Sequence, residues 1–417
     1  MLNYSFVHST VPNNNTVAAA ALYEASIRGY KDVVQLLLEN GICPNKRNPD
    51  HKRFITALAG ASAGGYTKVV KRLLRYDADR HQTINLVDTK RATALFLASF
   101  KGHAKIVRLL LENGADIDIQ NNSCKSNTAL SAASARGHED VVRLLIEKDA
   151  SVNAQSVSQT APLYCASLNG HKDIVQLLLD AGAELAALNS ASRYKTAVSA
   201  ACSGDHANVL QLLLAQGGDP DSLAGDWDTA LFLSVARRHR NCTELLVRHG
   251  AKVNTESKTY GLPLILAAFK GDLQAVEVLL ENGASIDAKG EWDAWTLAGA
   301  GHGTDLRRGK FIFQSKSGRQ SDQERRMWGT ALTAASAMGY VDIVMLLVAR
   351  GANAGFAGEQ SGNPLQAALI SGHRKVVEVL LGKMVDQDPI KRGYSFSTHP
   401  GRVSYTLSLE DNSTREN

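Results

Sequence analysis

One string recurs along this chain of 417 residues, and its period constrains the fold more than any other feature. GYKDVVQLLLENG, beginning at Gly29, returns as GHAKIVRLLLENGADID from Gly102, GHEDVVRLLIEKDASVN from Gly137, GHKDIVQLLLDAGAELA from Gly170 and GDLQAVEVLLENGASID from Gly271. Weaker copies begin at Gly65, Asp205, Arg238, Gly339 and Gly372, so successive starts lie 33 to 37 residues apart, except for one step of 68 between Gly271 and Gly339. A fixed period of this length marks stacked supersecondary units, none of which can bury its apolar surface alone. The step of 68 is close to two periods and predicts a hidden copy.

Inside each period the residues predict two helices. T-A-L at Thr56, Thr93, Thr128, Thr229 and Thr330, or A-P-L at Ala161, opens a stretch rich in Ala and Ser, such as SAASARG, small enough for a neighbour to approach closely. The second helix carries an apolar stripe, as in Ile174, Val175, Leu177, Leu178 and Leu179, which is too apolar to face water and has to be covered by the next unit. A glycine after that stripe, as in Glu112-Asn113-Gly114, ends the helix, and the A-D-I-D stretch beyond it alternates like a short extended finger. The expected fold class is all-α, with about eleven helix-turn-helix units joined by short β-hairpin fingers.

This pattern resembles the ankyrin repeat, whose mark is a T-P-L-H turn, a small helix, G-H, a V-V-x-L-L-L helix and G-A-D-V-N. The resemblance runs from about Thr16 to Lys383. It implies an ankyrin-repeat solenoid that binds other proteins. In place of the His of T-P-L-H this chain has Phe96, Ser131, Tyr164, Phe232, Thr333 and Gln366, which implies a turn without the bond that His supplies. The T-A-L-x-A-A-S form is similar to repeats of fungal ankyrin arrays, many of them the sensor end of NTPase-containing receptors. That implies a second reading, as the sensor or regulatory arm of a larger signalling receptor.

Composition removes other classes. The excess of 46 Lys and Arg over 41 Asp and Glu is only +5, too little for a protein dominated by nucleic-acid contacts. No basic-then-apolar leader and no run of eighteen apolar residues is present, so the expected place is the cytoplasm, or the nucleus if Lys46, Arg47, Lys52 and Arg53 act as an import signal. The five cysteines are odd in number and lack a C-x-x-C pair, so they read as reduced thiols.

Histidines at 103, 138, 171, 206, 239 and 373 share one place in the repeat. A whole unit separates each from the next, about 8–10 Å at helix-packing distance, too far for two imidazoles to share one zinc ion. They are expected to make local bonds at the interhelix turn. Val142 stands where an H-E-x-x-H motif beginning at His138 needs its second ligand. The glycines of 299–303 lack the dinucleotide fingerprint, and Leu223 and Ala230 break an EF-hand reading of Asp219, Asp221, Asp226 and Asp228. The expectation is a non-enzyme without metal or cofactor, a monomer whose partners are proteins and neither nucleic acid nor membrane.

The candidate contact residues lie at the fingertips. Two residues before the turn stand Tyr194, Trp227 and Tyr260 in three successive units, with Trp292 beside the following tip and Trp328 further on. Rings on exposed, pre-ordered loops give large contact area at low entropic cost, while packing of the turn itself would place them there equally well. Asp226 and Asp228 flank Trp227 and would select a partner that offers bases beside an apolar anchor.

The expected boundaries are a loose segment at 1–15, eight units over 16–289, a degenerate repeat or basic insert at 290–329, two further units over 330–383 and a polar tail at 384–417. In the hidden unit the register puts the turn at Thr296 and the second helix near 306–315, although seven bases and two acids crowd 306–326. Its length near two periods favours decay of a repeat.

Overall fold

The computed structural model describes residues 14–44, 56–76, 84–87, 92–120, 128–154, 161–186, 196–225, 229–257, 261–293, 326–355 and 363–387. It divides into two compact lobes, 1–253 and 254–417. Among the described residues the N-terminal lobe holds seven helix pairs: α1 (Asn14–Ile27) with α2 (Lys31–Glu39), α3 (Ala57–Gly64) with α4 (Thr67–Tyr76), α5 (Ala94–Lys101) with α6 (Ala104–Glu112), α7 (Ala129–Arg136) with α8 (Glu139–Glu147), α9 (Pro162–Leu168) with α10 (Lys172–Asp180), α11 (Ala197–Ser203) with α12 (Ala207–Ala215), and α13 (Ala230–Arg237) with α14 (Arg240–Arg248). The C-terminal lobe holds α15 (Pro263–Lys270), α16 (Leu273–Glu281), the strands β1 (Gly290–Asp293) and β2 (Arg326–Gly329), then α17 (Ala331–Met338), α18 (Val341–Ala349), α19 (Pro364–Ser371) and α20 (Arg374–Gln387). Within each lobe first helices pack on first helices and second on second, giving two layers. The first helix begins at Asn14, inside the segment expected to be loose, and the last runs on to Gln387, beyond the expected end at Lys383.

Local chemistry sets each first helix. In most of them an N-cap threonine accepts the backbone N–H three residues on, Ala59 to Thr56 at 3.1 Å and Phe96 to Thr93 at 3.1 Å, satisfying a donor that the helix itself cannot, while Ala161 and Leu262 cap without a side-chain bond and are followed by Pro. Ser131, where a lost bond was expected, instead closes a capping box: its Oγ accepts from the N–H of Thr128 at 2.9 Å. Ser199 does the same for Thr196 at 3.1 Å. Short polar side chains at this position therefore restore the turn. In the second helices the stripe is buried where the period predicts, with Ile106, Val107 and Leu110 wholly enclosed between layers.

Two ladders join neighbouring repeats. In the first, an imidazole N–H at the start of a second helix donates to a carbonyl in the last turn of the preceding repeat's first helix: His103 to Ala63 (3.3 Å), His138 to Phe100 (3.2 Å), His206 to Leu168 (3.1 Å), His239 to Cys202 (2.7 Å) and His373 to Ala337 (3.1 Å). The histidines thus bond across 36 to 40 residues and not within their own turn. Carbonyls in a helix's last turn lack an intrahelical partner, so the ring satisfies them, and at Cys202 it adds to a long bond from the Asp205 N–H at 3.4 Å. The ring also needs room. Gly102 has φ 78°, and a Cβ there would sit 2.6 Å from His138 Nδ1, so glycine is required both for the left-handed turn and for the imidazole above it. Tyr66 and Tyr340 take the ring's place over Gly29 and Gly271.

The second ladder runs through the fingers, where an Asn or Asp side chain accepts a backbone N–H of the next finger. Asp116 donates to Asn85 Oδ1 (2.9 Å), Ser151 to Asp118 (3.1 Å), Glu184 to Asn153 (2.9 Å), Lys252 to Asp221 (2.8 Å) and Ser285 to Asn254 (2.9 Å), each across 31 or 33 residues. Asn353 donates in the same way to Asp287 at 2.9 Å, but across 66.

That last bond locates the 35 extra residues. α15 packs directly on α17, and α16 on α18, so the two flanking repeats are nearest neighbours with no unit stacked between them. In the preceding finger an antiparallel bridge joins Ser257 to Gly261 and leaves three residues at the tip. At the equivalent place Gly290 pairs with Gly329 in the β1–β2 ribbon, with 38 residues beyond the pair. The difference, 35, is the whole excess of the long step over one period. The extra length thus enters and leaves between Gly290 and Gly329; the expected turn at Thr296 and helix at 306–315 lie outside the described residues.

Candidate protein-binding surface

The bases of three fingers are visible, and all three are closed by antiparallel pairing. Leu223 bridges Thr229, and the N–H of Ala230 donates to the Ser222 carbonyl at 2.9 Å, holding the loop that carries Asp226, Trp227 and Asp228. Ser257 bridges Gly261 and holds the loop that ends in Tyr260. In the β1–β2 ribbon Trp292 is registered with Met327 and Trp328 with Glu291, so the two tryptophans occupy adjacent pairs of the register. Tyr194, Asp226, Trp227, Asp228 and Tyr260 themselves lie outside the described residues, as does the basic group Lys46, Arg47, Lys52 and Arg53.

Part of the acidic character has another use. Asp219 Oδ1 accepts the N–H of Asp221 at 2.9 Å, and Asp221 in turn holds the next finger through the N–H of Lys252, with the Lys252 ammonium 3.6 Å away. These two carboxylates shape the finger. Beside them Leu223 is exposed at the base of the Trp227 loop, a large apolar side chain facing water.

The first-helix face adds a second element. Phe100 and Leu97 are half-buried against Phe96, Ala92 and Ala132, and the Arg136 guanidinium from the next repeat lies 4.1 Å from the centre of the Phe100 ring. Phe96 and Phe100 are parallel, with centroids 6.2 Å apart. Leu168 and Ala135 continue this strip over Tyr164, Cys165 and Ala200. A ring capped by a cation on a surface of small residues offers contact area and a charge at one place. Sequence reading passed over Phe100, Arg136 and Leu223. The signal for the first was a bulky residue at a place where 63, 135, 236 and 337 carry Ala, a signal it shares with Leu168, Phe269 and Ile370.

Two titratable groups are shifted by their surroundings in the repeat stack. Burial holds the His171 imidazole below its ordinary value, against the raising effect of its bond to the Ala135 backbone, and the neighbouring His206 and His138 lower it further. Cys202 is fully enclosed, and burial pushes its thiol well up, with Cys242 and Asp205 adding to the effect. Among the described residues no three His, Cys, Asp or Glu side chains gather as a metal site would need, and no helix is long and apolar enough to cross a membrane.

Paired helices, Gly-ended stripes and stitched fingers are the features that a family comparison can test. The sequence model for ankyrin repeats (3 copies) matches residues 22–121, 118–189, 197–290 and 307–391. The chain belongs to the ankyrin-repeat family. Among its relatives, the human Ankyrin repeat and KH domain-containing protein 1 is 40% identical over 111 residues, 26% of this chain and 4% of that protein. A Transient receptor potential cation channel subfamily A member 1 homolog of Caenorhabditis elegans is 35% identical over 98 residues, 24% of this chain and 8% of that one. The Probable E3 ubiquitin-protein ligase XBOS32 of Oryza sativa subsp. japonica is 38% identical over 90 residues, 22% of this chain and 17% of its own length. The ankyrin-repeat chain thus spans a small part of each of these relatives. Among solved structures, the human ASB11 ankyrin repeat domain covers 55% of this chain and 98% of its own, at 24% identity and a TM-score of 0.46.

Proposed function

We propose that this ankyrin-repeat chain is a non-catalytic scaffold that binds a protein partner through its fingertips and first-helix face. Ankyrin repeats generally mediate protein–protein interaction, and the observation that carries the reading here is the cation-capped aromatic strip on the first helices: Phe100 under Arg136, with Leu97 and Leu168 beside it. Tyr194, Trp227, Tyr260, Trp292 and Trp328 extend the surface along the fingers, and Asp226 and Asp228 select bases beside an apolar anchor. Pairing at the finger bases supports this, because a loop held at both ends loses little entropy when its tip is contacted. The partner is a protein, the scaffold acts as a monomer in the cytoplasm, and no cofactor takes part.

Affinity capture on the intact chain, followed by mass spectrometry, names the partner, and two double variants then test the surface. Phe100→Ala with Arg136→Ala, and separately Trp227→Ala with Tyr260→Ala, are each expected to weaken that partner more than tenfold while the melting temperature stays close to wild type, since anchors in desolvated interfaces typically contribute about 2 kcal/mol or more. Unchanged affinity in both pairs, with a fall in melting temperature, would show that the rings only pack the repeats.

A further inference from the structure

The opposite layer carries a feature that the finger and first-helix reading does not use. A shallow groove crosses the outer side of α4, α6 and α8, with Ala104, Leu109 and Leu144 among its apolar lining and Lys71, Lys105 and Arg108 along one side. α4 contributes Lys68, Lys71, Arg72 and Arg75 and no acid over ten residues. Lys68 with Arg72, and Lys71 with Arg75, are like charges four apart on one helix, an arrangement that opposes helix formation.

Other second helices are built differently. Glu139 pairs with Arg143 at 2.7 Å, Arg240 with Glu244 at 2.8 Å and Arg374 with Glu378 at 2.7 Å, all at spacing four. No such partner reaches Lys68, Lys71, Arg75, Lys105 or Arg108 among the described residues. Five uncompensated bases thus stand on two adjacent helices in a chain whose net charge is only +5. On the far side of the groove α8 presents Asp140 and Glu147 with Arg143 between them, and that guanidinium is already engaged by Glu139 at 2.7 Å.

We infer that this groove is a second docking site, and that its occupant is an acidic amphipathic helix of a protein partner. Leucine-like side chains of such a helix would rest on Leu109 and Leu144, its carboxylates would face Lys71, Lys105 and Arg108, and a base on its other flank would meet Asp140 and Glu147. Charge complementarity selects this occupant over a polyphosphate chain, because the two acids repel phosphate and no aromatic ring lines the groove for a base to stack on.

The probe is a fluorescein-labelled, 18-residue helical peptide with leucines at spacing three and four and glutamates along one flank, titrated with the intact chain and read by anisotropy. Saturable binding is expected, weakened more than tenfold in the Lys71→Glu, Lys105→Glu, Arg108→Glu variant and unchanged in a Lys148→Glu, Lys172→Glu control on neighbouring parts of the same layer. Circular dichroism and melting temperature verify the fold, and the milder Lys71→Gln, Lys105→Gln, Arg108→Gln set serves if charge reversal unfolds the chain. Phe100→Ala with Arg136→Ala should leave peptide binding intact, so failure of the first-helix reading and failure of this one are separately visible. Equal binding by the triple variants, no saturable binding below about 1 mM, or a single-stranded DNA 20-mer that competes as well as the unlabelled peptide would each overturn the proposal.

Discussion

The joint between the repeats at Gly102 and Gly137 and the joint between those at Gly271 and Gly339 look unlike in sequence and alike in structure. In the first, 35 residues separate the two starts, and the His138 ring seats over Gly102. In the second, 68 residues intervene, yet Tyr340 seats over Gly271 and Asn353 bonds Asp287 at the same 2.9 Å that joins Ser285 to Asn254. The lesson is that cohesion between repeats resides in the helix layers and the finger bases, and the number of residues at a tip barely enters it.

The strongest test of this equivalence is a pair of cavities. Leu110→Ala and Leu347→Ala remove fully enclosed side chains from second helices on either side of the comparison and should each destabilise by about 2–5 kcal/mol in urea titration. If Leu347→Ala proves nearly neutral, the second joint is not packed like the first. Next in size, replacing 291–328 by the tripeptide Lys-Thr-Tyr, the tip of the preceding finger, should leave the helical signal intact and stabilise the chain by up to about 2 kcal/mol through the shorter closed loop. Loss of cooperative unfolding in that deletion would mean that a repeat had been removed.

The smallest effect separates His from Tyr. Because His171 binds its proton less readily in the folded chain, its contribution to stability is complete above about pH 6.5 and is lost as the pH falls through the lower folded value. Acidification from pH 7.5 to 5 should therefore lower the melting temperature of the wild type more than that of His171→Gln, the smallest effect of the set because the ring is partly exposed and its charge screened by solvent. Equal pH dependence of the two proteins in thermal melts would remove His171 from the account.

Much of this was readable in the letters. The helix pairs follow from a stripe of period 3.6 between a threonine cap and a glycine stop, signals that act within a dozen residues. What escaped acts over longer distances or by coincidence. The acceptor of His138 lies 38 residues back, so the ring's place could be read but not its bond. The replacement of the family histidine by Ser131 looked like a loss because a hydroxyl can turn back on its own cap, a matter of rotamer and not of pattern. The extra length between Gly290 and Gly329 could not be read either way, because 35 residues falls within the range of the true periods. For the contact surface, the aromatic row was visible at once, but Arg136 and Phe100 come together from different repeats, and no spacing rule joins them.

The pairing of Gly290 with Gly329 has a consequence for how this chain can change over evolutionary time. A segment entering and leaving through one antiparallel pair has its two ends fixed about 5 Å apart, whatever lies between them. Such a position accepts any polypeptide whose own termini lie side by side, which is the geometric condition for grafting one domain into another. Length and composition there can drift without transmitting strain into the layers, and the other finger bases, closed at Leu223 with Thr229 and at Ser257 with Gly261, are doors of the same width.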